Sequence, residues 1–195
     1  MKRSLLFFIA VSLSAAAAQA TTITYGAILN GSNEAPSNAS PGTGFARVTY
    51  DDVLHTLEVQ VSFSGLIGTT TASHIHCCTA VAETGTAGVA TTTPTFAGFP
   101  LGVTSGLYMN TLDLTLSSSW NPSFITAHGG TTAGAEAFLA AGLAADEAYL
   151  NIHSTFRPGG EIRGFLTPVP EPATLSLFGI GLTGFIAGRR RHRRA

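Results

Sequence analysis

The sequence predicts a mainly β domain: a single antiparallel β-sandwich or barrel with one or two short inserted helices. Three observations carry that prediction. Short segments with period-2 alternation recur along the chain, as in Leu57-Glu58-Val59-Gln60-Val61-Ser62-Phe63. Turn-forming Gly, Pro and Asn residues separate them. Helix start and stop signals are confined to one stretch, Asn121 to Gly142.

The first twenty residues read as a secretory signal. Lys2-Arg3 is the positive n-region, Leu5 to Leu13 the short apolar core, and Ala18-Gln19-Ala20 a small-x-small site for signal peptidase. The mature chain is expected to begin near Thr21 in an oxidising compartment. Residues 21–168 then form the β-domain. Thr22 to Leu29 is rich in β-branched and apolar residues and predicts a first strand. Asn30 to Thr43 is a loop by its turn chemistry. Phe45 to Tyr50 and Leu57 to Phe63 alternate around Asp51-Asp52 as a hairpin, with Leu57, Val59, Val61 and Phe63 facing the core.

Gly65 to Thr71 turns the chain into a strand containing His74-Ile75-His76. Thr79 to Gly106, almost free of charge, reads as a long irregular excursion. Leu107 to Leu116 alternates again, with Leu112, Leu114 and Leu116 predicted to face inward. Asn121-Pro122 has the form of an N-cap followed by proline in the first helical turn. Phe124 and Ile125 would pack beneath that helix, which Gly129-Gly130 ends. A second helix is expected over residues 133–141, with Glu136 in its first turn and Gly142 terminating it. The strand Tyr149 to His153, the turn Arg157-Pro158-Gly159-Gly160 and the return strand Glu161 to Thr167 form a final hairpin.

Charge is unevenly distributed. Residues 21–168 contain three arginines, no lysine and ten Asp and Glu, a formal net charge of −7. Without a basic patch to neutralise phosphates, a nucleic-acid partner is excluded. After Pro168 the composition changes. Val169-Pro170-Glu171-Pro172 precedes an apolar segment from Ala173 to Gly188, and an arginine cluster, Arg189, Arg190, Arg191, Arg193 and Arg194, follows it. Such a cluster holds its end of a segment on the cytoplasmic side of a membrane. The sixteen apolar residues are shorter than the ~20 of a usual span.

The histidines are the main candidates for chemistry. In an extended strand alternate side chains share a face, so His74 and His76 project together, as do Tyr149, Asn151 and His153. Two histidines at i and i+2 can reach one ion, with His153 giving a third nitrogen and Glu161 or Cys77 a further ligand. Copper or zinc suits imidazole. Asn151 and Glu161 are the groups expected to orient the rings, and metal affinity is expected to fall as pH drops through about 6.5. The competing reading is a structural cluster in which the histidines bond to backbone and to each other, with Glu161 and Arg163 as a polar pair at the hairpin. His55 sits at a strand start and His128 at a helix end, where it would complement the last carbonyls.

Cys77 and Cys78 are the only cysteines. A vicinal disulfide, free thiols, an intermolecular link and metal thiolates all remain open for them. No Gly-x-Ser-x-Gly elbow and no phosphate-cradling glycine loop occurs. Trp120 and Phe124 read as core, and no catalytic residue is assigned.

Residues 169–195 closely resemble a PEP-CTERM sorting signal, through Pro170-Glu171-Pro172, the apolar segment and Arg189-Arg190-Arg191 in that order. The resemblance implies an exported protein of a Gram-negative bacterium. Its tail would be held transiently in the inner membrane and processed by an exosortase near the Pro-Glu-Pro motif. Cell surface or exopolysaccharide matrix would be its destination, with polysaccharide or other surface proteins as partners. The body resembles the CHRD domain, through Leu29-Asn30-Gly31 with Glu34 and Pro36, His74-Ile75-His76, Tyr149 to Ser154 and Pro158 to Gly164. That resemblance implies an immunoglobulin-like or superoxide-dismutase-like β-barrel. Cys77-Cys78 departs from the family's usual small or glycine-rich continuation. The expected function is a binding or structural role; the alternative is a copper or zinc redox protein built on His74, His76 and His153.

Overall fold

A computed structural model describes residues 22–170. The signal segment and the sorting tail, with Ala18, Ala20, Glu171, Pro172 and Arg189 to Arg191, lie outside the described residues. The eight strands are β1 (Thr22–Asn30), β2 (Thr43–Asp51), β3 (Thr56–Ser64), β4 (Thr70–His76), β5 (Gly106–Asp113), β6 (Tyr149–Ser154), β7 (Ile162–Phe165) and β8 (Thr167–Pro168); the helices are α1 (Pro122–Ala127) and α2 (Thr132–Ala144). The predicted antiparallel β architecture is one curled sheet in the order β4-β6-β7-β1-β2-β3-β5, with β8 paired to β1.

Alternation sets which residues the sheet buries. Leu57, Val59, Val61 and Phe63 of β3 all face the core, as the sequence predicts. They meet Ala27 and Leu29 of β1, Ala46 and Val48 of β2, and Ile75, Leu150, Ile152 and Ile162 from the other end of the sheet. Trp120 is core, its indole N–H donating to the Leu114 carbonyl at 2.9 Å. Asn121 caps α1 by accepting from the Ser123 amide at 3.1 Å.

Four expectations are corrected. Leu116 is exposed, because β5 ends at Asp113, whose carboxylate accepts the Thr115 N–H and turns the chain. Gly142 does not end its helix; α2 runs on to Ala144. The reason for glycine there is contact: a Cβ would strike both sulfurs of the Cys77–Cys78 disulfide. Glu136 sits beyond the first turn of α2, buried, where its carboxylate accepts from the Tyr50 hydroxyl at 3.0 Å and meets His55 Nδ1 at 2.9 Å. The His128 ring lies against Phe138, centroids 3.6 Å apart, instead of reaching helix carbonyls.

The excursion between β4 and β5 is a packed cover along the edge of β4. The Ile75 amide donates to Thr91 Oγ1 and the Ser73 amide to Thr95 Oγ1, while the Ala90 and Phe96 amides donate to the Ile75 and Ser73 carbonyls. An edge strand that would otherwise offer a row of free backbone groups is closed in this way.

Glu161 pins the loops around the last hairpin. Its fully buried carboxylate accepts from Ser40 Oγ and the Ile67 amide at 2.6 Å each, from the Gly68 amide at 3.2 Å, and from the Ser154 hydroxyl. Burial alone would raise its pKa, but these donors hold it below the usual carboxylate value. Glu161→Leu leaves all four donors without their acceptor, and is expected to cost at least about 3 kcal/mol in urea unfolding. A loss under 1 kcal/mol would show that the carboxylate is not the pin.

Candidate metal centre

Antiparallel pairing of β4 with β6 sets His74 opposite Asn151, His76 opposite Tyr149 and Ala72 opposite His153. The three histidines therefore share the face of the sheet that points away from the core. They are nonetheless buried, exposed by only 6 to 8 %, because the excursion and the β6–β7 turn close over them. One nitrogen from each ring lies within 4.8 Å of the other two. His76 is stacked on Tyr149, ring centroids 4.9 Å apart.

The tautomers follow from the partners. His74 Nε2 lies 2.6 Å from the Pro94 carbonyl oxygen, His76 Nδ1 lies 3.0 Å from that of Ala87, and His153 Nδ1 lies 2.9 Å from that of Pro158. A carbonyl only accepts, so each of these ring nitrogens carries the proton and donates it. The other nitrogen of each neutral ring is then a bare lone pair. His74 Nδ1 faces His153 Nε2 at 3.3 Å with no proton left to lie between them. His76 Nε2 is buried with no hydrogen-bond partner at all.

Three proton-free nitrogens converging in a buried place is an arrangement a cation resolves. Two imidazoles bonded to one tetrahedral ion at ~2.05 Å place their nitrogens about 3.3 Å apart. His74 and His153 already stand at that separation, and His76 would close in to complete the set. The donor set fits copper or zinc, both of which imidazole suits. The other sequence candidates do not converge here. Glu161 spends its carboxylate on the four donors that pin the loops. Cys77 and Cys78 are bonded to each other, so neither offers a thiolate. Asn151 and Glu161 do not orient the rings; the carbonyls of Ala87, Pro94 and Pro158 do. Only Pro158, in the turn five residues after His153, carried a local signal in the sequence.

A charged wall borders the cluster. The Arg163 guanidinium lies 4.6 Å from the Tyr149 ring centroid, and donates to the carbonyls of Asn33 at 2.5 Å and Gly85 at 2.9 Å. Glu34 Oε2 is 3.7 Å from Arg163 Nε. Burial pushes the Glu34 pKa up to about 7, with Arg163 acting against the rise. Gly160, at φ +134°, leaves room for Asn151 and Glu34, whose side chains a Cβ there would strike.

Burial depresses all three histidine pKa values. In each ring the carbonyl hydrogen bond works in the opposite direction and burial prevails; His153 adds to the fall for His74, and for His76, with His153, His74 and Arg163 adding to it, the value falls to about 4. Without an ion, the rings therefore take up protons below the ordinary imidazole value of 6.5. The folded state keeps His76 neutral where the unfolded chain protonates it, so its contribution is full above pH 6.5 and is lost as pH falls towards about 4. Glu34, its pKa raised, acts in the opposite sense between 4.5 and about 7. Comparison of variants isolates the histidine: without metal, unfolding free energy should fall less steeply between pH 6.5 and about 4 in His76→Phe than in the parent. Equal slopes would mean that the ring is not held neutral.

Comparison with known proteins agrees with this layout. A family model for the CHRD domain matches residues 25–166, and one for the PEP-CTERM protein-sorting motif matches residues 168–191. No curated protein and no solved structure matches the chain. The sorting motif marks the protein as one exported to the cell surface or extracellular space and processed by an exosortase. With the CHRD match running from within β1 to the end of β7 and covering both strands that carry the histidines, the chain belongs to the CHRD domain family.

Proposed function

We propose that this is a surface or matrix protein of a Gram-negative bacterium whose CHRD domain has a binding role built on a copper or zinc ion. The observation that carries the reading is the buried, partnerless Nε2 of His76, aimed into the same space as the proton-free nitrogens of His74 and His153. A purely structural histidine cluster would pair ring N–H groups with ring nitrogens. Here every ring N–H is directed outward to a carbonyl, which leaves three acceptors facing one another.

The route is proposed from the ends of the chain. Signal peptidase would cut after Ala20, and the tail would hold the precursor in the inner membrane until an exosortase acts near Pro170-Glu171-Pro172. The folded body, acidic and lysine-free, would then be released to polysaccharide or protein partners at the surface. His74, His76 and His153 would hold the ion, Pro94, Ala87 and Pro158 would keep the rings oriented, and Arg163 with Tyr149 would screen one side from water.

When bound, the ion would supply a Lewis-acidic and, for copper, redox-active centre. The residues that surround it keep the rings neutral and the site nearly closed, which suits retention of an ion more than rapid exchange of substrate. The test is thermal unfolding of the purified chain. Copper or zinc at a hundredfold excess over Kd should raise Tm by about 5–10 °C. Chelator should reverse the rise, and His76→Ala should abolish it. No shift with either metal would remove the metal reading. Superoxide dismutation by the copper-loaded chain, lost in His76→Ala, would replace the binding role by a redox one.

A further inference from the structure

The outward face of the β1-β2-β3-β5 portion of the sheet carries an apolar strip that nothing in the domain covers. Register places Ile28, Phe45, Ser62 and Leu107 side by side in one row, and Gly26, Arg47, Gln60 and Met109 in the next. Leu107 is 81 % exposed, Met109 72 %, Ile28 63 % and Phe45 46 %. Residues opposite one another across antiparallel strands share a face, so these four form one patch. With Arg47 and Gln60, three of them, Phe45, Leu107 and Met109, line a shallow groove. Exposed apolar area of this kind on a protein with a saturated core marks an interaction surface.

The chain itself indicates what the strip meets. After β8 pairs with Tyr25 and Gly26, the Val169 amide donates to the Thr24 carbonyl at 2.8 Å. The Val169 side chain lies over Gly26, where a Cβ would stand 3.1 Å from its Cγ2. The polypeptide therefore leaves the fold at the margin of the strip, in a groove shared by Ile28, Phe45 and Val169. Four steps later, at Ala173, the apolar segment of the sorting tail begins. Four residues span at most about 14 Å when fully extended. A domain of this size has a radius of gyration of about 15 Å. A tether that short keeps the point where the chain leaves the fold, and the face beside it, turned towards the bilayer.

We propose that, in the precursor, this strip is the face the domain lays on the outer surface of the inner membrane, with Leu107, Met109 and Phe45 meeting the lipid. Charge agrees with the placement. The two rows of the strip contain one cation, Arg47, and no acid; Asp51, Glu58 and Asp113 lie further along the same sheet, and Glu83 stands at the margin beside Val169. Anionic lipid repels an acidic body least at a face that carries an arginine and no acid. The docked body would also hold the Pro-Glu-Pro motif at the membrane surface, where an intramembrane processing enzyme can reach it.

The inference rests on the membrane-held reading of the tail, and one experiment separates the two. The full chain is reconstituted into phosphatidylethanolamine–phosphatidylglycerol vesicles with a polarity-sensitive fluorophore on Leu107→Cys, Met109→Cys or Leu54→Cys, the last in the β2–β3 turn. Labelling without reductant leaves the native disulfide intact. The chain should float with the vesicles, and deletion of Arg189 to Arg194 should disturb its orientation there. Labels at 107 and 109 should shift to the blue and be quenched by spin-labelled lipid, while the label at 54 remains in water. Failure to float would overturn both the tail reading and this inference. Flotation with all three labels equally in water would overturn the inference alone. A blue shift that follows the protein-to-lipid ratio would assign the strip to a second copy of the chain and overturn it as well.

Discussion

Three backbone carbonyl oxygens can only accept hydrogen bonds, and the character of the site depends on that constraint. Those of Pro94, Ala87 and Pro158 each take the one proton that a neutral imidazole owns. What remains is three lone pairs directed at one another in a buried space. Burial reinforces the constraint, because it penalises the imidazolium that could otherwise relieve the repulsion. A cation at the centre would satisfy all three nitrogens at once.

The fold supplies those carbonyls from two directions. Pro94 and Ala87 lie on the excursion after β4, held against that strand by backbone bonds and by the hydroxyls of Thr91 and Thr95. Pro158 lies in the β6–β7 turn, whose far side is held by Glu161 through Ser40, Ser154 and the 67–68 amides. Glu161 thus acts on the histidines at a distance, by fixing the loop that fixes a ring. Arg163 ties the same region to Asn33 and Gly85 while lying against Tyr149, the ring on which His76 stacks. The outward face of the β4-β6-β7 end becomes a second, polar interior, opposite the hydrophobic one that Ile75, Leu150 and Ile152 enter.

Much of this was legible in the sequence, for a physical reason. Alternation with period 2 is a property of single strands, so the faces of β3, β4 and β6 could be read directly, and with them the convergence of His74, His76 and His153. The final hairpin and the Asn121-Pro122 cap are equally local. What could not be read depends on contacts remote in sequence. Gly142 looked like a helix stop because its contact with the Cys77–Cys78 disulfide crosses some 65 positions. Glu136 looked like a first-turn acid because its partners Tyr50 and His55 belong to another hairpin. Glu161 looked like a ligand, since side-chain chemistry does not reveal which amides a fold will deliver to it. The ring-orienting groups were sought among side chains, whereas the structure uses carbonyls, which every residue has and no motif distinguishes.

The central claim is the tautomeric state of the three rings, and nitrogen-15 NMR of the metal-free protein at neutral pH reads it directly. Long-range proton–nitrogen correlations identify which nitrogen of each neutral imidazole is protonated. The account predicts the proton on Nε2 of His74 and on Nδ1 of both His76 and His153, with Nδ1 of His74 and Nε2 of the other two showing the shifts of bare nitrogens. A proton on Nδ1 of His74 or on Nε2 of His153 would bridge the 3.3 Å contact between them. It would make the cluster a self-satisfied hydrogen-bond network, and contradict the account.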